Sequence, residues 1–402
     1  MLDLTQTRQD FPILSNSASS KQVYFDNACM SLKPQQVIDA ITEYYTDYPA
    51  CVGRSSHHLS KIAGDKVHAV RGKVARFINA KSEEEIIFTR NTTEAINLVA
   101  RSLNFRVGDI IITSDKEHNS NLVPWQLICQ QTGASLKILP SLPDNTFDLE
   151  NFKSAVTGAR LVAIGHTANL DGVTVPVKEI IQIAHAAGAE VLVDAAQAML
   201  HHRIDVRDLD VDYLAFSGHK MLGPTGTGVL YGKAALLDKL QPFLVGGDTV
   251  ESVTYSEHEF LPVPERFEAG LQDYAGLLGL GAAVDYLSAL DFTAIREHEY
   301  QLNNYITTEA LKLPKFHLIG PVDASKRSGI ISFYFDGVDS HQVALMLDEM
   351  SGIMIRSGQH CVHSWFNHHD LKGSARVSLA FYNTMAEAQI FIQTLTKISQ
   401  IF

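Results

Sequence analysis

Ser217-Gly218-His219-Lys220 sets a lysine directly after an apolar run, Tyr213-Leu214-Ala215-Phe216, and before a glycine-rich turn, Gly223-Pro224-Thr225-Gly226-Thr227-Gly228. An amine on a short turn at a strand end can be held against a bound aldehyde; a lysine in a Gly-rich loop is otherwise a solvated surface group. The residues upstream choose between these. Val191-Leu192-Val193-Asp194-Ala195-Ala196-Gln197 ends an apolar run with a carboxylate that can pair with a protonated pyridine nitrogen, or cap a helix. Asn91-Thr92-Thr93-Glu94 follows Ile86-Ile87-Phe88-Thr89 and opens a helical pattern, so hydroxyls and free N–H groups meet there, as a phosphate requires and as ordinary capping also uses. His118, in Glu117-His118-Asn119, can stack on a planar cofactor or move protons near neutral pH. Asn169, in Gly165-His166-Thr167-Ala168-Asn169, is a donor to a ring oxygen or a turn residue. Thr, His, Asn, Asp and Lys at successive run ends, in chain order, are the parts of a pyridoxal 5'-phosphate (PLP) site.

The elements that must position them are short β-rich runs alternating with longer amphipathic stretches, the βαβ pattern of a mostly parallel sheet covered by helices. The runs predict strands over 85–89, 109–113, 136–139, 161–165, 190–194, 213–217 and 228–231. Val177, Ile180, Ile181 and Ala184 form a helical stripe within 177–187, with His185 expected on the exposed side. A helix is expected over 95–103. Beyond Gly270 the pattern changes to helices over 275–290, 295–311 and 340–350 with short strands over 329–335 and 353–355, which reads as a second domain. The Ser-rich stretch 15–20 is at most a flexible arm. In open α/β sheets ligands bind beyond the carboxyl ends of the strands, where the polar residues above fall.

Composition narrows the classes. A chain of 402 residues, 46% hydrophobic and 19% charged, has ordinary globular composition. The net charge of -12 and the lack of a basic run argue against a nucleic-acid partner. No stretch approaches the roughly 18 apolar residues of a membrane span, and the amino terminus lacks the basic and apolar segments of a secretion signal, so a cytoplasmic location is expected. Four cysteines (Cys29, Cys51, Cys129, Cys361) lie far apart with no CxxC pair, which disfavours a disulfide framework and a Cys-only zinc site. Cys129 is expected in the core; Cys29 and Cys51 have no role in this reading.

Asp26-Asn27-Ala28, Asn91-Thr92-Thr93-Glu94-Ala95, Glu117-His118, Val193-Asp194-Ala195-Ala196-Gln197, Ser217-Gly218-His219-Lys220, Arg266-Phe267-Glu268-Ala269-Gly270, Gly358-Gln359-His360-Cys361 and Arg376-Val377-Ser378-Leu379 together resemble the Suf-type cysteine desulfurases, class V aminotransferase relatives among the fold-type I PLP enzymes. The resemblance runs from about Tyr24 to Asn383. It implies an α/β fold with a large, mostly parallel seven-stranded sheet domain and a smaller α/β C-terminal domain. The expected division is an N-terminal arm over 1–20 packing with the small domain, a PLP-binding domain over 21–270 and a small domain over 271–402. Lys220 looks like the lysine that holds the cofactor aldehyde, Asp194 the partner of the pyridine nitrogen, and His118 the residue stacked on the ring. Asn169 and Gln197 are similar to the groups at the ring hydroxyl, and Ser217, His219, Thr92 and Thr93 to the phosphate cradle. Arg376 matches the arginine that takes the substrate carboxylate, with Asn169 also near substrate; a planar guanidinium grips a carboxylate at two points.

Cys361 sits where the family carries the cysteine that takes sulfur from free L-cysteine, leaving alanine and an enzyme persulfide. His360 and Arg356 are the cationic neighbours expected to favour its thiolate. The resemblance also implies a homodimer, a persulfide acceptor or iron–sulfur scaffold protein as partner, and a place in iron–sulfur cluster assembly. Competing readings are another class V PLP enzyme (selenocysteine lyase, aminotransferase, epimerase or kynureninase-like hydrolase) and a non-catalytic scaffold. His360, Cys361, His363, His368 and His369 are ligand types within ten positions, but their irregular spacing argues against zinc. The chain departs from the family pattern at Leu271-Gln272-Asp273, where Thr-Pro-Asn is usual, at Gly53, at Asp171 and at Gln359.

Overall fold

The computed structural model describes residues 3–15, 22–53 and 55–402; residues 1, 2 and 16–20 of the expected arm lie outside them. Alternation within the apolar runs builds the large sheet. Ile86 and Phe88 enter the core on one face and Ile87 the core on the other; Val191 and Val193 oppose Leu192 in the same way. Strands buried on both faces must be covered by helices on both, which is why they read as continuous apolar runs. Edge to edge the strands are Ile86–Thr89, Gly228–Gly232, Tyr213–Ser217, Glu190–Asp194, Leu161–Gly165, Ile110–Ser114 and Ser135–Leu139. All run parallel except Gly228–Gly232, which opposes both neighbours. The carboxyl ends of the other six therefore open on one edge, above which the site lies.

Strand starts differ from expectation where an acidic side chain has a better local partner. Glu85 closes a one-turn helix, Glu83–Glu85, and accepts from the Lys81 amide at 2.8 Å; Asp109 accepts from the Arg106 amide at 2.9 Å. The stripe helix spans Val177–Ala186, and His185 is half-buried, not exposed: its Nε2 lies 2.8 Å from Asp212 Oδ2. Cys129 is half-buried against the core behind the Ile87 face.

The C-terminal part holds an antiparallel sheet in the order Phe316–Ile319, Ile330–Phe335, Ser374–Ser378, Arg356–Gly358. The helix Met385–Ser399 closes it, started by a Thr384/Glu387 capping box. Packing runs across the division expected at 270/271. Val23–Tyr24 pairs in parallel with Ile353–Met354, and Val23 and Phe25 belong to the C-terminal core. Conversely, Ala275, Leu277, Leu278 and Leu280 of the Tyr274–Ser288 helix sit in the core of the large sheet. The first helix, Leu4–Gln9, is tied to the C-terminal part by Arg8, 2.9 Å from Glu387 and donating to the Tyr382 carbonyl at 2.7 Å. No single helix among the described residues is long and apolar enough to cross a membrane.

Candidate active site

The strand-end residues converge. A cavity of about 260 Å³ between the large sheet and the C-terminal sheet is lined by Thr92, Thr93, His118, Asn169, Asp194, Gln197, Ser217, His219 and Lys220 from one side and by Arg356, His360, Cys361 and Arg376 from the other. Every sequence-predicted site residue is in that lining.

Local folding explains why these side chains are available. Asn91, not a threonine, caps the helix Thr92–Ser102, accepting from the Glu94 amide at 3.0 Å, so Thr92 and Thr93 keep their hydroxyls. The Thr92 amide and hydroxyl both meet Ser217 Oγ, at 2.8 and 2.6 Å, joining the helix start to the turn that carries Lys220. That turn is too close-packed for side chains at Gly218 and Gly228: a Cβ on Gly218 would stand 2.3 Å from Thr227 Oγ1, and one on Gly228 2.6 Å from the Asn91 Cα. Thr93 Oγ1 lies 2.8 Å from Ser120 Oγ, and the Ser120 amide donates to His118 Nδ1 at 3.1 Å. This bond leaves the neutral ring its proton on Nε2.

Asp194 ends its strand without capping a helix; its Oδ1 accepts from the Ala196 amide at 2.9 Å. Burial raises its pKa, against the pull of Lys220, so a cationic partner for its charge is favoured. Lys220 is pushed the other way, first by burial and then by Arg376, with Asp194 opposing. Its Nζ has no hydrogen-bond or ion-pair partner among the described residues. His118 is lowered to about 3 by burial, then by Lys220 and Arg376, and His219 to about 4, chiefly by burial. The site thus offers an unpartnered amine, a buried carboxylate, a neutral imidazole and a helix N-terminus with hydroxyls. These are the groups that fit an aldehyde, a pyridine nitrogen, a planar ring and a phosphate. Asn169 donates through Nδ2 to the His360 carbonyl at 2.7 Å and Gln197 through Nε2 to the Ala28 carbonyl at 2.8 Å, so each carries a structural bond in addition to lining the cavity.

The opposite wall is built differently. Arg356 and Arg376 face each other across neighbouring strands, and Arg376 is 2% exposed, its Nη1 donating to the Asn169 carbonyl at 3.0 Å and its Nη2 3.5 Å from Asp26 Oδ1. Arg376 Nε has no hydrogen-bond partner. Burial lowers Arg376 to about 10. Two guanidiniums opposite each other repel unless an anion lies between them, which suits a carboxylate. Cys361 follows the strand Arg356–Gly358 on a turn where His360 and Cys361 both take positive φ, +50° and +59°. The turn is tied to the large sheet: the Asn119 amide donates to the Cys361 carbonyl at 2.7 Å, and His363 Nδ1 lies 2.8 Å from Asn119 Nδ2.

Two expectations change here. His360 cannot supply a cation to Cys361: it is buried, its Nε2 is 2.8 Å from Ser374 Oγ, and burial with the two arginines lowers it to about 2. Arg356 gives its Nη1 to a different sulfur, Cys29 Sγ, at 2.7 Å. The histidines near Cys361 have separate partners as well; His369 lies over Trp365, with Nδ1 2.8 Å from that residue's carbonyl. Among the described residues no three His, Cys, Asp or Glu side chains gather as a metal would require.

Sequence reasoning gave no role to several groups. Glu117 is buried behind the cavity, accepting from Ser114 Oγ at 2.6 Å, Asn121 Nδ2 at 2.7 Å and the Gly165 amide at 3.1 Å, and burial raises it to about 7. Asp171, one of the departures from the family pattern, forms a fully buried ion pair with Lys116 at 2.8 Å. Glu268 of the Arg-Phe-Glu-Ala-Gly segment takes both ends of the Arg71 guanidinium at 2.8 Å and the Phe88 amide at 2.7 Å, which makes it an anchor of the large sheet. Of the other departures, Leu271 is 67% exposed and Asp273 caps the Tyr274–Ser288 helix.

Comparison with known proteins agrees with this geometry. The class-V aminotransferase family model matches residues 23–391. A probable cysteine desulfurase from Synechocystis is 44% identical over 401 residues, 98% of this chain and 95% of the relative. A cysteine desulfurase from Escherichia coli K12 is 41% identical over 407 residues, 100% of this chain and 99% of the relative. Among solved structures, the apo cysteine desulfurase of Thermococcus onnurineus superposes with a TM-score of 0.95 at 37% identity, covering 100% of this chain and 99% of that one. An S-sulfonic acid form of an Escherichia coli cysteine desulfurase does so at 0.92 and 34%, covering all of both chains. The chain belongs to the class-V aminotransferase family, within its pyridoxal-phosphate-dependent cysteine desulfurases.

Proposed function

We propose that the protein removes sulfur from L-cysteine, releases L-alanine and holds the sulfur as a persulfide on Cys361 for an acceptor. The observation that carries this reading is a cysteine on a tethered turn in the same cavity as an unpartnered lysine and a facing pair of arginines. Lys220 would hold the cofactor aldehyde, Asp194 its pyridine nitrogen, and His118 its ring face. Thr92, Thr93, Ser217 and His219 would hold its phosphate, with Asn169 and Gln197 at its ring hydroxyl. When bound, PLP supplies an electron sink that makes the substrate's α proton and C–S bond labile.

The chain's own residues do the rest. Arg376, with Arg356 opposite, fixes the substrate carboxylate and so its orientation over Lys220. The Lys220 amine, whose basicity burial lowers, is the base that takes the α proton. His118 stays an uncharged imidazole across the physiological range, able to pass a proton through Nε2. The Cys361 thiolate attacks the substrate sulfur: an S–S bond forms, the C–S bond breaks, and the carbon is protonated on the way to alanine.

The finer readings belong to the same proposal. The acceptor is a persulfide-receiving or iron–sulfur scaffold protein, the product feeds iron–sulfur cluster assembly, and the protein works in the cytoplasm as a homodimer. Large exposed apolar side chains lining one surface depression, Phe243, Leu244 and Leu271, support association of two copies. The test is a cysteine-dependent alanine assay on wild type, Lys220→Ala and Cys361→Ser. Alanine from wild type alone is the expected result; alanine from Cys361→Ser at the wild-type rate overturns the reading.

A further inference from the structure

Cys29 is the cavity's second thiol. It follows Asp26-Asn27-Ala28, a segment pinned between the two walls. Asn27 Nδ2 donates to the Ser378 carbonyl at 2.7 Å, the Ala28 amide to Ser378 Oγ at 2.9 Å, and Gln197 to the Ala28 carbonyl at 2.8 Å. The Cys29 amide donates to the Asp26 carbonyl at 3.1 Å, closing a turn that presents its side chain to the cavity. Arg356, the guanidinium expected beside Cys361, meets Cys29 Sγ at 2.7 Å instead. A guanidinium donor is a fitting partner for an anionic sulfur such as a persulfide. A second cation stands by: Arg376, nearly fully buried, lines the same cavity with its Nε unpartnered. Cys29 and Cys361 both line the cavity that Lys220 enters, so the two sulfurs share one enclosed space. The cavity thus holds one thiol bonded to an arginine and one, on a turn, to which no cation among the described residues is bonded.

We propose that Cys29 is a second sulfur carrier, receiving the sulfane sulfur from Cys361 inside the cavity; this rests on Cys361 being the first carrier. The Cys29 thiolate attacks the outer sulfur of the Cys361 persulfide. The bond between Cys29 Sγ and that sulfur forms, the bond from it to Cys361 Sγ breaks, and the electron pair leaves on Cys361 as a thiolate. The new persulfide takes over the Arg356 contact. One S–S bond replaces another, so no oxidant or reductant is consumed, and Cys361 is free to accept again. The chain would then store two sulfurs per site, one on the Cys361 turn and one sheltered against Arg356.

The test loads the holoenzyme with L-cysteine labelled with a heavy sulfur isotope, quenches with iodoacetamide over a time course, and locates the label by peptide mass spectrometry. The expected result is label on the Cys361 peptide first and on the Cys29 peptide later. In Cys361→Ser the Cys29 label should fall to background, and in Cys29→Ala all label should stay on Cys361 with no more than one labelled sulfur per site. Label confined to Cys361 in the wild type overturns the transfer while leaving the desulfurase reading in place. Label on Cys29 undiminished in Cys361→Ser overturns the order of carriers. Absence of label from both, with alanine still formed, overturns the transfer together with the reading it rests on. The wild-type time course needs no variant to fold, and visible absorbance of bound cofactor checks that each variant does.

Discussion

The two walls of the cavity differ in how they hold their chemistry. On the large-sheet side each functional group sits within a few residues of the end of a strand buried on both faces: Thr92 after Thr89, His118 after Ser114, Asp194 at the last position of its strand, and Lys220 after Ser217. On the other side the arginines are cross-strand neighbours in a small antiparallel sheet, and Cys361 stands on a turn with two residues at positive φ. A strand end in a close-packed sheet is a rigid mount. Side chains there hold a cofactor in one pose and have their acid–base behaviour set by burial, as His118, Asp194 and Lys220 show. A turn tied by a few backbone bonds can present a nucleophile and then yield its product to an acceptor. The first wall determines that PLP chemistry occurs, and the second which bond breaks.

Breaking the first wall should have the largest effect. Lys220→Ala removes both the attachment of the cofactor and the base, so alanine formation should fall by about 10²–10⁴-fold or more. The visible absorbance of the attached cofactor should be lost with it; retention of both would refute the division between walls. Next comes Arg376→Lys on the second wall. A point charge in place of a fork should raise KM for cysteine about 10- to 100-fold, with a smaller change in kcat, while cofactor absorbance stays as in wild type. Steady-state kinetics at saturating PLP checks this, and an equal loss confined to kcat would contradict it.

The smallest expected effect lies behind the first wall. Glu117 has a folded pKa raised by burial to about 7 from an ordinary 4.5. A group whose folded pKa is raised contributes stability that is fully present below its unfolded pKa and is lost as pH rises through the folded value. From pH 4.5 to above 7 wild type should therefore lose about 3 kcal/mol relative to Glu117→Gln. Urea unfolding of both proteins across that range measures the difference; parallel profiles would show that Glu117 does not titrate there. The hydrogen bonds from Ser114, Asn121 and Gly165 work against the shift, and burial outweighs them.

The two walls were also unequally legible. The strands of the large sheet read clearly because fully buried strands appear as unbroken apolar runs, and the polar residue at each end stands out against them. Phe316–Ile319 gave no such signal: His317 interrupts a four-residue edge strand whose residues are mostly half-buried. Thr92 and Thr93 looked like caps until Asn91 proved to do that work. Partners distant in sequence were not readable at all. Arg356 and Cys29 are 327 positions apart, and nothing in the spacing of either foretold that they would touch. Asp171 was visible as an unusual carboxylate, but the Lys116 that pairs with it lies on another strand's loop and has no local signature. Cys361 was legible only through its motif, since a lone cysteine carries no periodicity.

The most direct measurement of the account is made on Cys361→Ser alone, recording cofactor absorbance and cysteine-dependent alanine formation in one sample. Wild-type absorbance with alanine at background is the result predicted by a first wall that holds the cofactor and a second that selects the reaction. Alanine formed at the wild-type rate, or absorbance lost along with activity, would contradict it.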